Sequence, residues 1–134
     1  MNAKDEYVMD TKLAERDAVM EALASIRCGA ACTEMELHAL AAQALENSGI
    51  KAVHEASLAP RCRIDFLAGR IGIEIKKSRP ERTRLLAQLM RYAACEQIAE
   101  LVVVAPRGVT LPKMIRGKRV TMIALERLWG IWIP

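Results

Sequence analysis

The sequence predicts an α/β fold, a mixed central sheet flanked by helices, and three observations predict it. Two segments of helical period open the 134-residue chain. Two runs of period two, 63–68 and 71–76, meet at Gly69-Arg70. A continuous aliphatic run, Leu101 to Ala105, makes sense as a strand only where both of its faces are covered. The element order expected is α-α-β-β-β-α-β-β.

The first ten residues are polar and are expected to fray. Thr11 can cap a helix through about Arg27, with Leu13, Met20, Leu23 and Ile26 on one side and Gly29 as its stop. Thr33 opens a second helix, and Thr33 with Glu36 three residues later is a capping box. Leu37, Leu40, Ala41, Ala44 and Leu45 form its apolar side, and Asn47-Ser48-Gly49 ends it. A strand is expected over Ile50–Ala56, then a loop through Pro60. Glycine at the first position of a two-residue loop marks a type II′ hairpin, so Gly69-Arg70 sets a register of Ala68 facing Ile71, Phe66 facing Ile73 and Ile64 facing Ile75. One face of the hairpin is then wholly apolar. The other puts Asp65 opposite Glu74, with Lys76 two residues along. Ser78-Arg79-Pro80-Glu81 is a second capping box, for a helix from about Arg79 to Ile98. After the aliphatic strand come a turn or short helix near Leu111–Arg116, a last strand Val120–Leu125, and a tail with two tryptophans.

Composition narrows the function classes. Hydrophobic residues make up 52% and charged residues 27% of the chain, which excludes a disordered tail. No apolar run approaches the ~18 residues of a membrane span and no signal peptide opens the chain, so a soluble cytoplasmic protein with no membrane partner is expected. The four cysteines (Cys28, Cys32, Cys62, Cys95) have no framework spacing and are expected as reduced thiols; Cys28 and Cys32 with His38 and His54 match no usual zinc pattern. Five dispersed aromatics (Tyr7, Phe66, Tyr92, Trp129, Trp132) argue against a base-stacking platform. Charge is uneven: residues 1–60 carry a net −5 and residues 61–134 a net +9. A basic half points to a polyanion such as nucleic acid.

The hairpin carries the chemistry. Like charges directly opposed in an antiparallel pair destabilise it, and a divalent cation resolves the conflict because hard oxygen ligands exchange repulsion for coordination. Lys76 on the same side would hold a water or stabilise phosphoryl charge. The bland alternative is a solvated face on which Lys76 softens the Asp65–Glu74 repulsion.

This order of elements, with Arg63-Ile64-Asp65 followed by Glu74-Ile75-Lys76, resembles the PD-(D/E)xK (restriction-endonuclease-like) nuclease superfamily, whose core runs α-β-β-β-α-β. Ile64 stands where that family often has proline. Gln88 and Tyr92 resemble the Q-x-x-x-Y motif of its RecB-type and lambda-exonuclease-type branch; on a helix they are i and i+4, on one face. The resemblance covers about Thr33 to Ala105. It implies one nuclease-like domain over 1–134: an extra N-terminal helix in 1–30, the core in 31–106, and a C-terminal strand and tail in 107–134. It implies Mg²⁺ or Mn²⁺ held by Asp65, Glu74 and the Ile75 carbonyl, Lys76 positioning the attacking water, and Gln88 with Tyr92 buttressing the site. Glu36 is the first choice for the additional acid on the preceding helix, Glu34 the next, and Glu55 a third. DNA is the expected partner, contacted by Lys77, Arg79, Arg84 and Arg91, with Arg82 nearby. The apolar side of the first helix should pack on the core or on a second copy in a homodimer, and so small a domain should act in a structure- or end-directed way or rely on a protein partner for specificity. Two rivals remain: a nuclease-like module that binds without cutting, and a winged-helix regulator, disfavoured because helix 33–47 has no lysine or arginine with which to enter a groove.

Overall fold

The computed structural model describes residues 15–29 and 31–128; the Thr11 cap, Leu13 and the tryptophan tail lie outside them. Among these residues the order is helix α1 (15–24), α2 (Glu34–Asn47), strands β1 (Val53–Ala59), β2 (Cys62–Ala68) and β3 (Ile71–Ile75), α3 (Arg82–Ala93), β4 (Glu100–Ala105), β5 (Met114–Ile115), β6 (Lys118–Ala124) and the single turn α4 (Leu125–Leu128). The strands make one open mixed sheet in the order β1-β2-β3-β4-β6-β5. Strands β1, β2 and β3 are antiparallel, β4 runs parallel to both β3 and β6, and β5 closes antiparallel on β6. No helix among the described residues is long and apolar enough to cross a membrane.

Helices cover both faces, as the aliphatic β4 requires. Val102 and Val104 face α1 and α2, in a core with Leu23, Leu37, Leu45, Phe66 and Ile73; Leu101 and Val103 face α3, in a core with Ile64, Leu85 and Leu89. The first helix buries Val19, Ala22, Leu23 and Ile26 in the former core, so of its two expected coverings the domain itself supplies one. An ion pair from Arg16 Nε to Glu100 Oε2 (2.7 Å) ties it to the start of β4.

Several boundaries differ from expectation. Helix α1 ends three residues early, at a turn through Ser25, and β1 begins at Val53 rather than Ile50. Helix α3 starts at Arg82, not Arg79, because a residue before proline is driven out of helical conformation and Pro80 follows Arg79. Its cap is the Glu81 carboxylate, which accepts from the N–H groups of Arg84 (2.8 Å) and Thr83 (3.0 Å) and is held below the usual carboxylate range by them. Of the turn or short helix expected near 111–116 the chain forms the turn, inside a short hairpin: Arg116 and Gly117 both take positive φ (51° and 75°), as a two-residue turn of opposite hand demands. Cys28 and Cys32 are joined in a disulfide, contrary to the reduced thiols expected, since the chain doubles back between α1 and α2 and brings their Cα atoms to 5.7 Å. Cys62 and Cys95 are free. The β2–β3 hairpin sits in the middle of the sheet, where a winged helix would need it exposed.

The expected hairpin register holds at Ala68–Ile71 and Phe66–Ile73, and Gly69 has the positive φ of 61° that its loop needs. The wholly apolar face does not hold. Phe66 and Ala68 pack toward α1 and α2, but Ile64 packs toward α3. Alternation along β2 therefore breaks at Asp65. It breaks at the same level in β1, where His54 stacks on Phe66 while Ala56 joins Ile64, and Glu55 between them takes a left-handed φ of 52°.

Gly72 is the point of closest approach in this sheet. A Cβ there would lie 2.6 Å from Ile64 Cδ1 and 2.7 Å from Ile98 Cδ1, both tips fully buried. Gly72→Ala should destabilise the domain by about 1–3 kcal/mol in urea unfolding, and Ile64→Val, which deletes one of the two clashing methyl groups, should recover part of that loss. Equal stability of wild type and Gly72→Ala would show that this core is loosely packed.

Candidate active site

The site forms where β2 and β3 part company. Their ladder pairs run from Ala68–Ile71 to Phe66–Ile73 and no further, so Asp65 and Glu74 are neighbours without being regular ladder partners. Side chains take over the bonding. Asp65 Oδ2 accepts from the N–H of Ile75 (2.7 Å), and Glu74 Oε1 accepts from the N–H of Asp65 at a long 3.4 Å. Each carboxylate thus occupies a position that a strand carbonyl would otherwise hold.

Glu74 points toward α3 and is 4% exposed, the only buried charged residue among those described. Burial, then the Asp65 carboxylate, pushes its carboxyl group up to about 7, with Lys76 pulling the other way. Lys76 Nζ lies 3.2 Å from Glu74 Oε2 and donates to Gln88 Oε1 (2.9 Å). Gln88 Nε2 donates to the Tyr92 hydroxyl (2.9 Å), which lies 3.2 Å from Glu74 Oε1 and 3.0 Å from the Arg63 carbonyl. Glu74, Lys76, Gln88 and Tyr92 therefore close a hydrogen-bonded ring. Burial and the Glu74 charge together drive the Tyr92 hydroxyl well above the usual tyrosine range, so it stays protonated and can donate.

Asp65 lies between the two layers and meets α2. His38 Nε2 is 3.7 Å from Asp65 Oδ2 and 4.0 Å from Glu34 Oε1, while His38 Nδ1 pairs with His54 Nε2 at 3.1 Å. His38 Nε2 is buried and has no hydrogen-bond partner among the described residues. The sequence assigned this histidine no part in the site, although its spacing of four from Glu34 puts the two on one helix face. Glu36 turns the other way. Thr33 Oγ1 accepts from the Glu36 N–H (3.1 Å) and its hydroxyl donates to Glu36 Oε1 (3.1 Å), so this side chain serves the cap. Glu55 pairs loosely with Arg63 at 3.7 Å on the surface of β1. Of the three acids considered, Glu34 is the one that faces Asp65, across His38.

The basic residues are exposed and differ in use. Lys77 and Arg79 lie in the segment after Lys76, and Arg84 and Arg91 on the surface of α3; Arg82 is tied to the Thr110 carbonyl (2.8 Å) and serves the fold. Among the described residues no group of three or more His, Cys, Asp or Glu side chains is placed to hold a metal ion. Comparison with protein-family models, with characterised proteins and with solved structures finds no match in any of the three.

The raised Glu74 carboxyl has a pH signature. From about pH 4.5 to about 7 the folded protein keeps a proton that the unfolded chain has released, so stability falls as pH rises through that window and levels off above it. In chelator-treated protein the melting temperature of wild type should drop relative to Glu74→Gln across this range, and the variant should be the more stable of the two at pH 7.5. Parallel melting curves for the two proteins would place the Glu74 ionisation at its ordinary value.

Proposed function

We propose that this chain is a metal-dependent nuclease hydrolysing DNA phosphodiester bonds, built on a restriction-endonuclease-like core. The observation that carries the reading is the ring. Glu74 and Lys76 come from the end of β3, Gln88 and Tyr92 from α3, and the two motifs meet atom to atom. A solvated strand face and a helix-surface glutamine would have no reason to do so.

The donor set suits Mg²⁺ or Mn²⁺. Mg²⁺ is characteristically held by one or two carboxylates and keeps several waters, so an open pair such as Asp65 and Glu74 fits it without an enclosing cage. Glu74 carries a carboxyl group raised first by burial and then by the Asp65 charge, which Lys76 offsets in part and a cation would offset further, and His38 Nε2 stands unpartnered beside Asp65. Asp65, Glu74 and the Ile75 carbonyl would hold the cation. When bound, it supplies charge neutralisation at the phosphoryl oxygens and makes a water more acidic.

The chain's own groups do the rest. The Lys76 ammonium orients a water or stabilises charge on a phosphate oxygen, and its place is set on three sides: by Glu74, by Gln88, and by its backbone N–H bonded to the Val104 carbonyl (2.8 Å). Gln88 has no freedom to flip, because its amide must accept from Lys76 and donate to Tyr92 at once. Tyr92 in turn holds the Glu74 carboxylate. Gln88 and Tyr92 are positioning residues on this scheme.

Asp65→Asn and Lys76→Ala should each reduce plasmid cleavage in Mg²⁺ or Mn²⁺ by about 10²-fold or more while the protein stays folded. They should differ in a second measurement: added Mn²⁺ should raise the melting temperature of Lys76→Ala but not of Asp65→Asn. Wild-type protein that leaves linear, circular and branched DNA intact would make the domain a binding module instead. A further pair of variants separates the acids of α2. Glu36→Gln keeps the side-chain oxygen that serves the cap and should leave cleavage unchanged with a loss of well under ~1 kcal/mol. Glu34→Gln should raise the Mn²⁺ concentration needed for half-maximal cleavage; the reverse pattern would return Glu36 to the site.

A further inference from the structure

A cleft of about 420 Å³ opens beside the ring, between the β1–β2 turn and α3. Gln88 and Tyr92 line it together with Arg61, Arg63 and Arg91, and none of its eight lining residues is acidic. Two of these arginines come from a part of the sequence that suggested no binding role. Arg61 sits at the second position of the Pro60-Arg61 turn with φ of 60°, a conformation that favours glycine or asparagine, so an arginine there is held at some cost to the backbone. Arg63 is tied only loosely to Glu55, at 3.7 Å between two well-exposed side chains, and Arg91 is exposed on α3. Three guanidinium groups around a concave, acid-free site suit an anion with several oxygens.

We infer that this cleft binds the sugar-phosphate backbone of a nucleic-acid strand next to the reacting phosphate, through Arg61, Arg63 and Arg91. The inference rests on the proposed nuclease reading for the identity of the polyanion, and it adds the path of the strand and the residues that grip it. The chemistry is backbone-directed. Tyr92 is the only aromatic residue in the lining, it is 3% exposed, and its hydroxyl is engaged in the ring, so no ring face is offered to a base. Contacts of this kind position a strand and carry no sequence information. The same arginines can take a phosphate from a duplex or from a single strand.

The test is binding of a fluorescently labelled oligonucleotide, as duplex and as single strand, to the full chain in chelator over a range of potassium chloride concentrations. Arg61→Asn with Arg91→Gln should weaken binding by about tenfold or more and reduce the slope of log affinity against log salt by about two. Arg116→Asn is the matched control. It makes the same substitution at another left-handed arginine, on the β5–β6 turn, and should change neither quantity. Cys62 lines the cleft and provides a footprint: in a Cys95→Ser background, the oligonucleotide should slow maleimide labelling of Cys62 several-fold. A larger loss on the duplex or on the single strand identifies which form the cleft grips. An unchanged salt slope in the double variant, an equal loss in Arg116→Asn, or unprotected Cys62 overturns the inference. These outcomes are separable from failure of the nuclease reading. Metal-dependent cleavage that needs Asp65, with a normal slope in the cleft variants, sinks the cleft alone. A reduced slope in a protein that cuts nothing sinks the nuclease alone.

Discussion

Two β-strands that stop pairing one residue before their carboxylates impose the constraint on which the rest of the structure depends. Beyond Phe66 and Ile73 the backbone N–H groups of Asp65 and Ile75 still need acceptors, and an unpaired buried N–H costs about as much as a lost hydrogen bond. Asp65 and Glu74 supply those acceptors from their side chains. The interruption of the ladder and the placing of two carboxylates side by side are therefore one event. The carboxylates are held where they repel because the backbone requires them there.

That arrangement obliges the surroundings to compensate Glu74. A buried carboxylate is tolerated only when paired and hydrogen-bonded. Lys76 gives the charge, Tyr92 gives a hydroxyl, and Gln88 keeps both in place from α3. Helix α3 can do this because Leu85, Leu89 and Ala93 anchor it to the sheet through Ile64 and Val103. The apolar packing of one face of the sheet thus sets the geometry of a polar ring at the end of its β3 strand. On the opposite face α2 performs a parallel service, bringing His38 to Asp65 while Leu37, Ala41 and Leu45 fix the helix in the core.

The paired breaks at Glu55 and Asp65 give the sheet two characters along its length. Near Ala68 the hairpin alternates regularly between the two cores; beyond Asp65 the same strands have exchanged faces. Asp65 lies at the crossing, within reach of α2 on one side and of Glu74 on the other. The exchange also carries the β1–β2 turn to the α3 side, so that Arg61 and Arg63 stand beside Arg91. Charge that is strongly basic over the second half of the sequence becomes, in three dimensions, a basic wall at one end of the proposed active site.

Much of this was legible in the sequence because it is governed by short-range rules. Period-two alternation and a glycine loop determined the β2–β3 hairpin and its register as far as Phe66 and Ile73. A continuous aliphatic run determined a central strand covered on both faces. Spacing alone put Glu74 with Lys76 on one strand face and Gln88 with Tyr92 on one helix face. Other features needed the assembled molecule. Alternation predicts a face for Ile64 only while the ladder continues, and nothing local announces that it ends at Asp65. Glu36 satisfies the capping pattern and Glu34 does not, but which acid faces Asp65 depends on how α2 rotates against the sheet. Arg61, Arg63 and Arg91 lie up to thirty residues apart, and a cleft between a hairpin turn and a helix exists only once both are packed on one sheet. The sequence determined which chemical groups are present and which neighbours share a face; tertiary structure decided which of them meet, because packing rotates and shifts whole elements over distances that no local periodicity records.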